Sequence, residues 1–453
     1  MSHSIDPSIF KEYDIRGIYG QNLFDDDAYI LGKALSSYGS KKIVVGYDGR
    51  HSSHALSKNL INGFTSSGAH VTNIGLCHTP LMYFAVEEYG FDIGVMITGS
   101  HNPPDHNGFK IVKDSVHLFG EHIQHIKERI DPLHFIDGLG REIITRKVQK
   151  DYIERVLKDI NIFGNIKVIW DIGNGSTSDV VNKIVKRLPG THIILNPCVD
   201  GSFPSHAPDP TVPENLEDLS TMVVDKECDF GIAFDGDGDR LVIVNRKGIP
   251  LYGDQLSAIF ASDILKRNQN SKIIVDIKSS NSLINAIKEN SGVPIISKTG
   301  HSIIKAKMKE SGALFGGETS GHFFFADKWY GFDDGVYSAI RFLEIFSLCK
   351  QKGVDIFESV VNCFSTPEIR IDCSVKFEVI ERLKSKLKAS GIHFIDIDGI
   401  RVENNDGWWL VRASNTQDQL TIRIEAYTEE KLDVIKHDVV NKVQQEINEI
   451  TGV

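Results

Sequence analysis

One type of segment occurs three times along this chain of 453 residues. Each copy begins with a lysine, continues as a short apolar run rich in β-branched residues, and reaches an aspartate; the copies span residues 42–48, 167–171 and 272–276. A stretch of helical periodicity follows, and then a second strand-like run that leads into a polar, glycine-containing loop. The second runs begin near Ile93, Phe230 and Ala313. Strands alternating with helices form βαβ units, so the pattern predicts three related α/β domains on largely parallel sheets.

The last part of the chain follows a different pattern. Strand-like runs at 368–372, 408–412 and 420–426 mix with helical stretches at 379–389 and 430–449. This mixture is typical of an α+β domain. We therefore expect four domains, the fourth smaller than the others, with these boundaries: 1–150, 151–255, 256–365 and 366–453.

Charge and composition exclude several classes of protein. Lys and Arg total 50 against 61 Asp and Glu, a net charge of −11, which argues against a broad nucleic-acid or anionic-membrane surface. No apolar run approaches the roughly 20 residues that span a bilayer, and the first residues lack a signal segment. The six cysteines include no Cys-x-x-Cys pair, which indicates reduced thiols. We expect a cytoplasmic protein whose ligands are small molecules.

Three polar loops follow the second strand of each repeat. They span residues 98–103, 235–240 and 316–322. In sheets of parallel strands, ligands bind beyond the carboxyl ends of the strands. We therefore expect the functional residues of the first three domains in these loops.

The second loop carries the strongest chemical signal. Asp235, Asp237 and Asp239 alternate with glycines directly after a strand, and side chains at this spacing in an extended loop point to one side. Their mutual repulsion is relieved by a hard divalent cation, and an all-oxygen ligand set favours Mg²⁺ or Ca²⁺ over zinc. An EF-hand is excluded because Arg240 and Arg246 occupy its glycine and glutamate positions. The alternative is a solvated acidic turn.

Ser100 lies in the first loop, where Gly99 and two prolines predict an exposed, rigid turn. A serine beside a magnesium site suggests phosphoryl transfer, because the metal can neutralise phosphate oxygens. The alternative is a serine that hydrogen-bonds its own turn. No Gly-x-Ser-x-Gly motif surrounds it, so an acyl-transfer hydrolase is not indicated.

Two further loops offer groups that bind sugar phosphates. Glu318, Ser320 and His322 alternate as acceptors and donors that could hold neighbouring hydroxyls of a polyol ring. Near the C-terminus, Arg412 and the polar residues that follow it suit a phosphate dianion. Both segments could also be plain polar turns.

A glycine-containing loop at 173–178 raises the question of a dinucleotide site. Ser178 stands at the last glycine of that fingerprint, and no acidic partner follows at the required distance. We therefore reject NAD binding.

Taken in order, six segments of the chain resemble the α-D-phosphohexomutase family, in particular its phosphomannomutase/phosphoglucomutase branch. The segments are 10–17, 98–103, 235–240, 298–301, 317–322 and 412–416. The resemblance implies three related α/β domains plus a smaller C-terminal domain around a central cleft. It also implies a monomer that acts on hexose phosphates.

The resemblance assigns roles at the reacting end of the substrate. Ser100 is then the phosphorylated serine, and Asp235, Asp237 and Asp239 hold Mg²⁺ against its phosphate, so that Ser100 completes the metal site. Tyr13, Arg16, His101, Lys110 and Arg240 flank or approach this centre. Of these, Lys110 is placed to help proton transfer.

The remaining roles concern the sugar and the phosphate that does not react. Glu318 and Ser320 match residues that grip the sugar hydroxyls, and Lys278, His301 and His322 lie beside them. The clamp for the distal phosphate comprises Arg412, Ser414, Asn415 and Thr416.

The implied reaction moves a phosphoryl group between C1 and C6 of mannose or glucose. Phosphorylated Ser100 gives its phosphoryl group to a hexose monophosphate, the 1,6-bisphosphate of glucose or mannose turns around, and the other phosphate returns to the serine. That bisphosphate also serves as activator. Two alternatives stay open at this point: a magnesium-dependent sugar-phosphate phosphatase, and a sugar-phosphate-binding protein without catalysis.

Overall fold

The computed structural model describes residues 5–130, 135, 137–358, 363–414 and 418–452. A first sheet of seven strands lies in the N-terminal part, in the order β1-β5-β4-β2-β3-β7, with β6 paired to β5. Its elements are β1 (Ile15–Ile18), α1 (Asp25–Ser36), β2 (Lys42–Tyr47), α2 (Ser53–Thr65), β3 (His70–Leu76), α3 (Thr79–Tyr89), β4 (Ile93–Ile97), β5 (His106–Lys113), β6 (Val116–His117), α4 (Glu121–Ile130) and β7 (Arg141–Ile144).

The second sheet has five strands in the order β12-β11-β10-β8-β9. A helix α5 (Lys147–Leu157) leads into it. The following elements are β8 (Lys167–Asp171), α6 (Ser178–Val185), β9 (Thr191–Leu195), α7 (Glu217–Asp225), β10 (Phe230–Phe234), β11 (Leu241–Asn245) and β12 (Pro250–Leu251).

The third sheet has four strands in the order β14-β13-β15-β16. Its elements are α8 (Gly253–Arg267), β13 (Lys272–Asp276), α9 (Asn281–Glu289), β14 (Val293–Ser297), α10 (His301–Ser311), β15 (Phe315–Gly317), β16 (Phe323–Phe325) and α11 (Gly335–Gln351).

The C-terminal sheet is antiparallel throughout, with β17, β21, β20 and β19 in line and β18 also paired to β21. Its elements are β17 (Phe364–Ser365), β18 (Ile369–Asp372), α12 (Lys376–Ala389), β19 (Ile400–Glu403), β20 (Gly407–Ala413), β21 (Gln419–Ala426) and α13 (Glu429–Thr451). The strand β19 has no counterpart in the sequence prediction, because a run of only four residues, two of them charged, is at the lower limit of length at which alternation indicates a strand.

The predicted threefold pattern is confirmed by the pairing of the strands. In each of the first three sheets the two repeated strands are parallel neighbours: β2 with β4, β8 with β10, and β13 with β15. The second strand of each pair then turns back into an antiparallel hairpin with β5, β11 or β16. The α/β fold class with a separate C-terminal α+β part is therefore as expected, and the three polar loops connect equivalent hairpins.

Packing unites the first three sheets, whereas the fourth has a core of its own and meets the third through a small cluster of Ile277, Trp408 and Leu410. One continuous cluster of buried side chains runs through all three, including Met82, Tyr152, Trp170, Phe260 and Phe342. The C-terminal sheet packs α12 and α13 over a core of its own. Because buried side chains are close-packed, the three hairpin loops are held in a fixed arrangement relative to one another.

Candidate active site

Three carboxylates meet in the loop between β10 and β11. Asp235, Asp237 and Asp239 are fully buried, and their oxygens lie within 4.8 Å of one another. Gly238 makes the turn possible: its φ is +72°, and a Cβ at this position would lie 2.1 Å from the methyl group of Thr177. Only glycine fits here without strain.

Two neighbouring side chains stabilise the negative charge of these three aspartates. Lys110 of β5 donates from Nζ to Asp237 at 2.7 Å and to Asp239 at 2.5 Å, and Thr79 donates its hydroxyl to Asp237 at 2.5 Å. Burial opposes the positive charge on Lys110, but the two carboxylates outweigh it and raise the pKa of the lysine. Lys110 therefore holds its proton between them.

The trio fits a hard divalent cation. One carboxylate oxygen each of Asp237 and Asp239 is buried without a hydrogen-bond partner within the described ranges. Burial and the two neighbouring carboxylates raise the pKa of Asp235 well above its usual range. A bound cation with oxygen preference would satisfy these oxygens and remove the repulsion that disfavours three negative charges.

Ser100 faces this trio from the loop after β4. Its Oγ lies 3.3 Å from Asp235 Oδ2, to which it donates, and 3.2 Å from His101 Nδ1. Its backbone adopts a left-handed φ of 51°, which turns the residue towards the aspartates. The predicted exposure holds for Pro103 and Pro104 of this turn, but Ser100 itself is 2% exposed, because this part of the loop packs against the loop of the second sheet.

Arg50 holds the serine loop in place, although this role was not predicted from the sequence. This residue follows the aspartate that ends the first repeated segment, and its side chain is wholly buried. Its guanidinium donates to the carbonyl oxygens of Ser100 at 2.8 Å, Asn102 at 2.6 Å and His106 at 3.0 Å, and also to that of Pro103. These acceptors are backbone carbonyls, which every residue type has, so the sequence does not reveal them as partners of Arg50.

The predicted residues of the N-terminal segment reach two different loops. Arg16 of β1 donates to Asn102 Oδ1 at 2.9 Å and to the carbonyl of Gly99 at 3.4 Å. Tyr13 instead donates its hydroxyl to the carbonyl of Thr299, at 3.3 Å, beside the third sheet. Burial and the charges of Arg240 and Arg16 keep the pKa of His101 well below its usual range, so its imidazole is neutral.

A second group of polar and charged side chains connects the 235–240 loop to the loop between β15 and β16. Arg240 donates from Nε to His322 Nε2 at 3.0 Å, and the other nitrogen of His322 lies 2.9 Å from Asp333. The same aspartate accepts from Lys305 at 2.7 Å and lies 3.5 Å from His301, whose ring stacks on His322. Asp333 and Lys305 were not predicted, because they lie outside the three loops.

The predicted sugar-binding residues Glu318 and Ser320 lie in the loop between β15 and β16, and Lys278 follows β13. Glu318 is buried and accepts from the Gly300 N–H at 2.7 Å, while Ser320 is half-buried. Burial raises the pKa of Glu318. Lys278 donates its N–H to Asp276 at 2.8 Å, and the other oxygen of Asp276 accepts from the Thr319 N–H at 3.0 Å. Asp276 therefore ties the two segments together.

Two residues of the predicted phosphate clamp, Arg412 and Ser414, lie at and just beyond the end of β20. Arg412 is at the end of β20 and pairs with Asp398 at 3.2 Å. Ser414 donates its N–H to the carbonyl of Gln419 at 2.9 Å. Asn415 and Thr416 lie outside the described residues.

Comparison with known proteins decides the family. Sequence models of phosphoglucomutase/phosphomannomutase match the chain in order: α/β/α domain I at residues 7–136, domain II at 150–248, domain III at 252–364 and the C-terminal domain at 368–442. A phosphomannomutase/phosphoglucomutase of Pseudomonas aeruginosa is 43% identical over 435 residues, which cover 95% of this chain and 94% of that protein. The chain belongs to the phosphoglucomutase/phosphomannomutase family.

Other members of the family are similar over nearly their whole length. A phosphoglucomutase of Neisseria gonorrhoeae is 41% identical, covering 96% of each chain. The crystal structure of a phosphoglucomutase/phosphomannomutase family protein from Burkholderia thailandensis superimposes with a TM-score of 0.91 at 37% identity, covering 98% of each chain. As in the sequence prediction, the chain is an isomerase-type phosphotransferase. Within the described part of the chain, no helix is both long and apolar enough to span a membrane.

Proposed function

We propose that this hexose-phosphate mutase interconverts the 1-phosphates and 6-phosphates of mannose and glucose through a phosphorylated Ser100. The observation that supports this most directly is the 3.3 Å approach of the Ser100 hydroxyl to Asp235, within a buried carboxylate trio. A protein that only binds sugar phosphates needs neither a serine nucleophile nor the three aspartates. The 1,6-bisphosphate of glucose or mannose is the proposed intermediate and activator.

The proposed resident cation is Mg²⁺, held by Asp235, Asp237 and Asp239 with an oxygen of the Ser100 phosphate. When bound, it neutralises phosphate oxygens as charge redistributes during transfer. Arg240 faces the same trio, 3.8 Å from Asp235, and adds positive charge to this side. Protein groups that are already aimed at the phosphate need no reorganisation during the reaction.

In the forward step, the bond between phosphorus and Oγ of Ser100 breaks, and a bond forms between phosphorus and a sugar hydroxyl oxygen. The proton that the sugar hydroxyl loses is transferred to the serine oxygen, so the step is balanced without a net gain or loss of protons. We assign to Lys110, whose Nζ lies between Asp237 and Asp239, the role of assisting this proton transfer as a hydrogen-bond donor. In-line approach of the two oxygens depends on positioning by Tyr13, Arg16 and His101.

The sugar and its distal phosphate are held by separate loops. We assign the sugar hydroxyls to Glu318 and Ser320, with support from Lys278, His301 and His322. The distal phosphate is assigned to Arg412 and Ser414, together with Asn415 and Thr416. Because grip and clamp are separate, the bisphosphate can turn around and present its other phosphate to Ser100. We further propose that the enzyme acts as a cytoplasmic monomer, with domains divided near residues 150, 255 and 365.

Product analysis tests the proposal. Incubation with Mg²⁺, glucose 1-phosphate and a trace of glucose 1,6-bisphosphate should yield glucose 6-phosphate, and mannose 1-phosphate should yield mannose 6-phosphate. Release of inorganic phosphate without either 6-phosphate would contradict the mutase and favour the phosphatase.

A pair of serine variants assigns the turnover to Ser100. Ser100→Ala should abolish turnover and leave the binding of glucose 6-phosphate largely intact. Ser115→Ala is the matched control, since Ser115 also adopts a left-handed φ, of 58°, in the turn between β5 and β6; its turnover should match that of the unaltered protein. Undiminished turnover by Ser100→Ala would defeat the assignment.

A further inference from the structure

A buried guanidinium connects the C-terminal sheet to the third sheet. Arg401 lies in β19, and none of its side chain is exposed. Its Nη1 donates to the carbonyl oxygens of Ile277 at 2.6 Å and Ser279 at 2.7 Å. Its Nη2 donates to Asn281 Oδ1 at 2.6 Å, and its Nε to Glu403 at 2.9 Å. Charged hydrogen bonds to buried carbonyls are strong and directional.

The two carbonyls that Arg401 binds flank Lys278 on both sides. The other peptide groups of this turn are also bonded: the N–H of Lys278 donates to the Asp276 carboxylate at 2.8 Å, and the N–H of Ser279 to the Asp276 carbonyl at 3.0 Å. The peptide planes before and after the Lys278 Cα are therefore both fixed. Since the direction of the Cα–Cβ bond follows from these planes, the side chain of Lys278 leaves the turn in one direction.

Further contacts fix Arg401 itself. Its guanidinium lies 3.9 Å from the ring centre of Trp408, which is 1% exposed and packs with Ile277 and Leu410. A flat, delocalised cation stacks on an aromatic face and binds several acceptors in one plane, whereas a lysine ammonium does neither. Arginine is therefore the residue that this position requires.

The C-terminal sheet makes a second polar contact with the same turn. Glu425 of β21 accepts from the hydroxyl of Ser280 at 2.9 Å and from the N–H of Asn281 at 3.2 Å. The conformation of the 277–281 turn therefore depends on contacts with the C-terminal sheet as well as on contacts within the third domain.

We propose that Arg401 is a positioning residue for the reaction: it acts through Lys278 by fixing the turn from which that lysine reaches the substrate. This inference rests on the proposed function, in which Lys278 supports the sugar. A positioning role differs from simple stabilisation of the contact between the two sheets. If Arg401 only stabilised that contact, its effect on turnover would not depend on Lys278.

A double-mutant cycle tests the dependence. Arg401→Lys should lower kcat/KM for glucose 1-phosphate about tenfold when Lys278 is present, and less than about twofold in the Lys278→Met background. The midpoint of thermal unfolding should fall by the same amount in both backgrounds, because the packing of Arg401 does not require the lysine side chain. If Arg401→Lys does not fold, Asn281→Ala removes one acceptor of the same guanidinium and completes the cycle in its place.

Arg423 provides the matched control. It also crosses between the two sheets, with an ion pair to Asp254 at 3.0 Å, but its ion pair lies outside the 277–281 turn. Arg423→Lys should leave kcat/KM within about twofold of the unaltered protein. An equal loss in Arg423→Lys and Arg401→Lys would show general loosening of the contact and overturn the inference.

The outcomes separate this inference from the proposed function. If Lys278→Met impairs turnover and Arg401→Lys lowers kcat/KM equally in both backgrounds, the positioning role is wrong and the proposed function stands. If Lys278→Met has no effect on turnover, the role of Lys278 is wrong and the inference fails with it. If the unaltered protein forms no glucose 6-phosphate, the proposed function itself is wrong.

Discussion

The hydroxyl of Ser100 lies 3.3 Å from a carboxylate oxygen of Asp235, although 135 positions separate the two residues in sequence. Each residue follows the second strand of its repeat, and the common core of the first three sheets holds the two loops together. A nucleophile and a candidate metal site therefore meet because two copies of the same structural unit face each other.

Asp235→Asn should change activity and stability in opposite directions. Burial and the neighbouring carboxylates disfavour a charge on Asp235, so a neutral amide should raise the unfolding temperature of the metal-free protein. Turnover should fall at least about 100-fold, because the cation loses a ligand next to the serine. Asp200→Asn, at a position where the side chain is 42% exposed, is the control and should change neither. Full turnover by Asp235→Asn would contradict the metal assignment.

Magnesium should stabilise the folded protein through the trio. A ligand at 100 times its dissociation constant stabilises the native state by about 2.7 kcal/mol. Addition of Mg²⁺ after treatment with a chelator should therefore raise the unfolding temperature of the unaltered protein and restore its turnover. The variant Asp237→Asn should show a much smaller rise. An equal rise in both would place the cation elsewhere.

Arg50→Lys should impair catalysis without contact with the substrate. The lysine cannot bind the four carbonyls of the serine loop at once, and a misplaced nucleophile costs rate. We expect kcat to fall at least about tenfold and stability to fall by about 2–4 kcal/mol. Arg187→Lys, in an exposed ion pair with Glu154, should leave both unchanged. The contrary result is an Arg50→Lys protein with full kcat.

Asp334 should make stability depend on pH. Burial raises its pKa to about 7, and the hydroxyl of Tyr152 donates to it at 2.9 Å. Because the folded-state pKa lies above the ordinary value of 3.8, the protonated form contributes stability that is complete below about pH 4. This contribution is lost as the pH rises towards about 7.

The variant Asp334→Asn isolates this effect, since asparagine also caps the start of α11. Relative to the variant, the unaltered protein should lose about 2–3 kcal/mol of stability between pH 5 and pH 8. Unfolding midpoints of both proteins at the two pH values measure the difference. A constant difference across this range would show that Asp334 does not titrate there.

The sequence was sufficient for the fold and for the loops, because both have periodic or local signals. The repeated strands, the alternating aspartates of 235–239 and the serine turn are each defined by a few consecutive residues. The burial of Ser100 was not predictable, since it comes from packing between loops of different sheets. Arg50 and Arg401 were missed for a related reason: several of their hydrogen-bond acceptors are backbone carbonyls, which any residue type supplies.

In the proposed reaction, a phosphoryl group on Ser100 passes directly to the sugar. A single-turnover experiment tests it: the protein is labelled with radioactive phosphate from glucose 1,6-bisphosphate, freed of excess label and mixed with unlabelled glucose 6-phosphate and Mg²⁺. We predict that fragmentation finds the label on Ser100 and that it moves to the sugar bisphosphate in one turnover. Label that stays on the protein, is found on another residue or appears as inorganic phosphate would show that Ser100 does not transfer its phosphoryl group directly to the sugar.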